Sequence, residues 1–111
     1  MTSLAAIRER QRSMRLAHLR QGIAPLVNAF PEARVLLFGS FARGDWDGCS
    51  DVDLLSVAPS QEQASELADA LLSAGLGDDV IALSESRWQQ LQDGGDPYWT
   101  AIARDALPLE P

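Results

Sequence analysis

The sequence predicts a small α+β domain, a short β-sheet flanked by helices. Two observations carry that expectation. Three short apolar runs, residues 34–38, 51–57 and 80–83, have the length and bounding residues of strands. Around them lie segments whose apolar residues recur at helical spacing and stop at Gly or Pro. A chain of 111 residues supports one core and little more.

Thr2 or Ser3 caps a first helix that carries Leu4, Ile7, Met14, Leu16 and Leu19. Arg8, Arg10, Arg12, Arg15 and Arg20 cover much of its remaining surface. Its apolar stripe is thin at first, which predicts that this half projects from the body. Gly22 and Pro25 predict an interruption, then a short helix over 25–30 with Leu26, Val27 and Phe30 on one face. On this reading residues 1–22 form a basic helical arm and residues 23–111 form the domain.

Pro31 ends the second helical piece, and the strand over 34–38 runs straight into Gly39-Ser40. Phe41-Ala42-Arg43 reads as one helical turn stopped by Gly44. A polar loop leads to the second strand over 51–57. Ser60 and Gln63 have capping-box spacing at the head of the clearest helix, with Ala64, Leu67, Ala68, Leu71 and Leu72 inward. Gly75 and Gly77 end it before the third strand over 80–83. Ser84 or Ser86 caps a short helix through Trp88 and Leu91. Pro97 opens the last helix, with Trp99, Ile102 and Ala103 on its inner side.

Charge is divided unevenly. Residues 1–34 hold six arginines against Glu9 and Glu32, a balance of +4, and residues 35–111 hold three arginines against fourteen acids, a balance of −11. The chain contains no lysine. An acidic body disfavours broad nucleic-acid binding, which needs cations to neutralise phosphates. The arm suits RNA, an acidic partner or the acidic body of a second copy. No run of about 18 apolar residues predicts a membrane span, and no apolar segment follows the first arginines as in a secretory signal. A single cysteine, Cys49, excludes an internal disulfide, so a cytoplasmic location is expected.

Three features point to chemistry. Gly39-Ser40 sits at a strand-to-helix turn, where glycine lets backbone approach a ligand, helix-start amides and their dipole favour phosphate, and a hydroxyl can donate to it. Taken alone, Gly-Ser is also a common turn. Asp51 and Asp53, two apart on a strand, place their carboxylates on one face with backbones about 7 Å apart. Two such charges repel unless a cation lies between them, and magnesium prefers carboxylate, water and phosphate oxygens. Asp51 at the strand start fits a solvent-facing side chain as well. Asp78-Asp79 precedes the third strand and can complete a triad, although a turn after Gly77 accounts for the pair too.

Gly39-Ser40-Phe41-Ala42-Arg43-Gly44, a polar loop, then Ser50-Asp51-Val52-Asp53-Leu54-Leu55 resembles the signature of the DNA polymerase beta-like nucleotidyltransferase superfamily. The branch it most resembles is the minimal nucleotidyltransferases, whose third strand and closing helix are similar to residues 79–88 and 97–107. The resemblance covers about residues 23–109 and leaves the arginine arm without a family role. It implies a small mixed sheet, magnesium and ATP or another nucleoside triphosphate. It also implies that Gly39 and Ser40 hold the triphosphate and that Asp51 and Asp53 ligate metal. Asp79 takes the role of third ligand and activator of the attacking hydroxyl, with Asp78 held in reserve. Arg43 touches phosphate or forms a surface ion pair with Asp45 or Asp47. Cys49 and His18 are read as incidental, Trp46 as a loop aromatic open to a base or a partner, and Trp88 and Trp99 as core.

Transfer of AMP from ATP to a hydroxyl is the leading expectation. The minimal branch resembles antitoxins that modify a tyrosine on a helical HEPN-type toxin, and a small chain suits a role with such a partner or as a homo-oligomer. The alternative is an interaction module that keeps the fold and binds a partner without catalysis.

Overall fold

The computed structural model describes residues 3–43 and 51–109. Its first element, α1 (Leu4–Asn28), is one helix of 25 residues. The Ser3 side chain caps it by accepting the Ala6 amide at 3.1 Å. The expected interruption at Gly22 and Pro25 does not occur, and residue 22, the expected end of the arm, lies inside this helix. Gly22 is a packing contact instead. A Cβ there would lie 2.6 Å from the Leu76 side chain. Pro25 is exposed, so the backbone partner it removes can be replaced by water. Most of the first half of α1 is exposed, as expected: Leu4 and Met14 are 73% and 67% exposed, while Leu16, Leu19 and Ile23 are buried.

Strand β1 (Arg34–Phe38) feeds directly into α2 (Gly39–Arg43). Strand β2 (Asp53–Ala58) begins two residues later than expected, which leaves Asp51 ahead of it. Helix α3 (Gln61–Ser73) starts where the capping-box spacing places it, with Ser60 Oγ accepting the Gln63 amide at 3.2 Å. Ala64, Leu67, Ala68 and Leu71 are buried, but Leu72 is exposed. Strand β3 (Asp79–Ser84) follows, then α4 (Glu85–Asp93) capped by Ser84 and α5 (Pro97–Asp105) capped by Asp96. A last short strand, β4 (Leu107–Pro108), has no counterpart in the sequence expectation.

The sheet order is β3-β2-β1-β4. β1 pairs antiparallel with both β2 and β4, whereas β2 and β3 run parallel with α3 as their crossover. The sheet is therefore mixed. Both faces are covered, which is why the strands read as continuous apolar runs. Val35, Leu37 and Leu54 face α1 and α3. Leu36, Phe38, Leu55, Val57 and Leu83 face the other way, against Trp88 of α4 and Ile102 of α5. The buried hydroxyl of Ser56 donates to the Ala64 carbonyl at 2.8 Å and ties β2 to α3.

Candidate active site

Chain order and pairing register bring the chemically distinctive residues to one end of the sheet. The antiparallel register sets Asp53, first in β2, opposite Phe38, last in β1. The next residue, Gly39, turns the chain into α2 with φ +80°, a conformation costly for side chains with a Cβ. A Cβ on Gly39 would lie 2.6 Å from Asp53 Oδ2. Glycine thus serves twice here, for the turn and for the space the carboxylate occupies. Ser40 follows, half-buried in α2. With five residues, α2 is little more than one turn and adds little dipole of its own. The turn's amides and hydroxyl remain as donors.

The parallel register sets Asp79, first in β3, beside Asp53. Adjacent strands lie about 4.8 Å apart, and residues in register project to the same face. That face is the one covered by α4 and α5, since Leu55, Val57 and Leu83 share the alternation. Asp51 is exposed just before β2, separated from Asp53 by the buried Val52.

Asp78 has a different position. Its Oδ2 accepts the Val52 amide at 2.7 Å, and its own amide donates to the Val52 carbonyl at 2.8 Å. Its carboxylate is engaged in fastening the start of β2 to the start of β3. Burial, then the charges of Asp79, Asp51 and Asp78, raise the pKa of Asp53 above the ordinary value of 3.8. Among the described residues no three acidic, histidine or cysteine side chains converge closely enough to hold a metal ion as they stand.

Asp53 opens into a cavity of about 290 Å³. Phe38, Gly39 and Arg43 line one side, and Tyr98, Ala101, Ile102 and Asp105 of α5 line the other. Asp105 is paired with the neighbouring Arg104 at 3.2 Å. Reading the sequence did not assign α5 to this wall. Its apolar spacing identifies an inner face but not what that face meets.

A second unanticipated residue is Arg12. From α1 its Nε donates to the Phe41 carbonyl at 3.2 Å and its Nη2 to the Ala42 carbonyl at 3.1 Å, at the far end of α2. No local pattern marks it out among the arm's arginines.

Trp88 is buried, and Trp99 is partly buried with its ring edge-on to Trp88 at 6.5 Å. His18 is exposed on α1 in a groove with Met14, Gly75 and Leu76, apart from the residues that line the cavity. Trp46 and Cys49 lie outside the described residues, as do Asp45 and Asp47. No helix among the described residues is long and apolar enough to cross a membrane.

The family model described as a nucleotidyltransferase domain matches residues 20–93. The match runs from the second half of α1 through α4 and includes Gly39, Ser40, Arg43, Asp51, Asp53, Asp78 and Asp79. It leaves out α5 and β4. No curated protein matches the chain.

Proposed function

The chain belongs to the nucleotidyltransferase domain family, and we propose that it transfers AMP from ATP to a hydroxyl in a magnesium-dependent reaction at the Asp53 cavity. The observation that carries this reading is the juxtaposition of Asp53, Asp79 and the Gly39 turn.

The donor set fits magnesium. That ion is held by one or two carboxylates together with waters and substrate phosphates, and seldom by an all-protein cage. Asp53 and Asp79 supply hard oxygen donors on one face, with Asp51 adjacent. Burial first, then the charges of Asp79, Asp51 and Asp78, hold the pKa of Asp53 above its ordinary value, and a bound cation would favour its charged form. When bound, magnesium would neutralise charge on the phosphate oxygens during transfer.

The chain's own residues do the rest. Backbone amides at Gly39-Ser40 and the Ser40 hydroxyl bind phosphate oxygens, and Arg43 adds positive charge at the cavity edge. Asp79 accepts the proton of the acceptor hydroxyl as its oxygen attacks the α-phosphorus. The new P–O bond forms as the bond to pyrophosphate breaks, and pyrophosphate leaves. Most of the rate comes from holding these groups in line and from preset charge. Asp78 serves the fold, because its carboxylate is already engaged with the Val52 amide. The acceptor is a tyrosine of a helical HEPN-type partner, the role that the resemblance to minimal nucleotidyltransferases implies.

The test is labelling with α-phosphate-labelled ATP, magnesium and a HEPN-type partner protein. Asp53→Asn and Asp79→Asn are expected to abolish labelling with the fold retained. Asp78→Ala is expected to keep labelling and lose about 1–3 kcal/mol of stability through the orphaned Val52 amide. Undiminished labelling in Asp53→Asn and Asp79→Asn rejects this site. A wild-type chain that binds its partner tightly and labels nothing is an interaction module of the same fold.

A further inference from the structure

We propose that Arg12 is a positioning residue that holds the phosphate-binding turn in place through α2. This rests on the nucleotidyl-transfer reading, because it concerns the turn to which that reading assigns the triphosphate.

Several contacts meet at this side chain. Arg12 is only 18% exposed, although its neighbours on this stretch of α1 face solvent. Its guanidinium donates to two consecutive carbonyls, those of Phe41 and Ala42, from about thirty residues away in sequence. The same group lies 6.0 Å from the centre of the Phe41 ring, and Arg15 reaches that ring at the same distance. Glu9, one turn earlier, stands 3.8 Å from Arg12 Nη1.

The physical consequence follows from the size of α2. A helix of five residues closes little more than one turn, so it forms few backbone hydrogen bonds of its own. A single turn is not stable by itself. Among the described contacts, burial of Phe41 and Ala42 in the core and the Arg12 fork on their two carbonyls help to hold this one. At its other end, Gly39 has more backbone freedom than any other residue type. The placement of the Gly39-Ser40 amides therefore depends on the far end of α2 as well as on β1, which leads into the turn. Removing the fork lets the turn sample other arrangements, and apparent affinity for phosphate falls with the fraction of competent turns. The planar guanidinium spans two carbonyls, whereas a lysine ammonium is a point donor on a flexible stem. The basic first half of α1 thereby acquires a role at the site.

Two measurements on the full chain test this. The first is amide hydrogen exchange without nucleotide, where Arg12→Gln is expected to accelerate exchange in α2 while the sheet amides keep their protection. The second is calorimetric binding of ATP with magnesium, where Arg12→Gln is expected to weaken affinity about tenfold. Arg12→Lys is expected to lie nearer to Arg12→Gln than to the wild type, and Arg8→Gln, exposed on the same helix, is expected to match the wild type in both measurements. A purely structural Arg12 lowers the melting temperature and leaves the affinity of the folded protein alone, which overturns the inference. So does unchanged exchange in α2. Normal ATP binding by the wild type with equal binding by Arg12→Gln overturns the Arg12 role and spares the nucleotidyl-transfer reading. A wild type that binds no ATP with magnesium overturns both.

Discussion

Asp53 is where the cost of the site concentrates. Burial and three neighbouring carboxylates raise its pKa, so the folded protein holds a proton that the unfolded chain releases at lower pH. Between the two values the native state binds more protons, and stability falls as pH rises through that window. The contribution is complete below the ordinary value of 3.8 and is lost above the raised folded value. Asp53→Asn is therefore expected to raise the melting temperature of the metal-free protein at neutral pH. The gain should shrink as pH falls, because the native carboxyl is then protonated as well. Melting curves taken from about pH 3 to pH 7 check this, and a gain of equal size at both ends contradicts it. Asp78 and Asp79 show how one residue of offset changes a role. The first is spent on a backbone amide, and the second stands at the strand head beside Asp53.

At the scale of elements, α1 departs most from its expected form. Its sequence places a glycine and a proline inside one continuous helix, and packing explains why it continues. Ile23 is buried on one side of Gly22, and Leu26 and Val27 pack against the core beyond Pro25. Burial of those side chains outweighs a local propensity penalty. The penalty persists, so Pro25→Ala is expected to stabilise the protein by about 1–3 kcal/mol by restoring a helix hydrogen bond. Urea unfolding measures it, and a variant no more stable than the wild type shows that α1 is distorted at this point. Helix α3 behaved in the opposite way. Its cap and inner face were legible because both are properties of residues three or four apart. β2 was legible as an apolar run but not at its start, since the Asp51–Asp53 segment becomes strand only where β1 and β3 supply partners.

The molecule as a whole is a two-faced sheet with a helix projecting from it, 50 × 33 × 20 Å in extent. Its closing segment is more deeply integrated than its opening one. Leu109 is fully buried, its amide donates to the Val35 carbonyl at 2.9 Å, and β4 completes the sheet edge beside β1. Removing residues 107–111 uncovers a strand edge and forfeits about 2–3 kcal/mol for the leucine side chain alone. Against a total of roughly 5–15 kcal/mol, a fall in melting temperature of about 10 °C or more is expected. Removing residues 1–10, whose described members are exposed, is expected to shift it by only a few degrees. Calorimetry on the two truncations decides the matter, and equal losses would show that the opening turns of α1 carry core contacts.

By itself the sequence determined the α+β class, the helices after the first strand and the first three strands, but not that α1 is one continuous helix. It also singled out the residues to which the proposed function assigns the nucleotide and its metal: Gly39-Ser40, Asp51, Asp53 and an acidic pair at 78–79. These are legible because periodicity, capping and short motifs are set within a few residues along the chain. Only the tertiary structure decided that Asp79 lies beside Asp53 while Asp78 binds backbone. The same holds for α5 forming the cavity wall, for β4 closing the sheet and for Arg12 reaching α2. Each of these depends on which strands pair and in what register, and on contacts between segments about thirty to seventy residues apart, which local spacing does not encode.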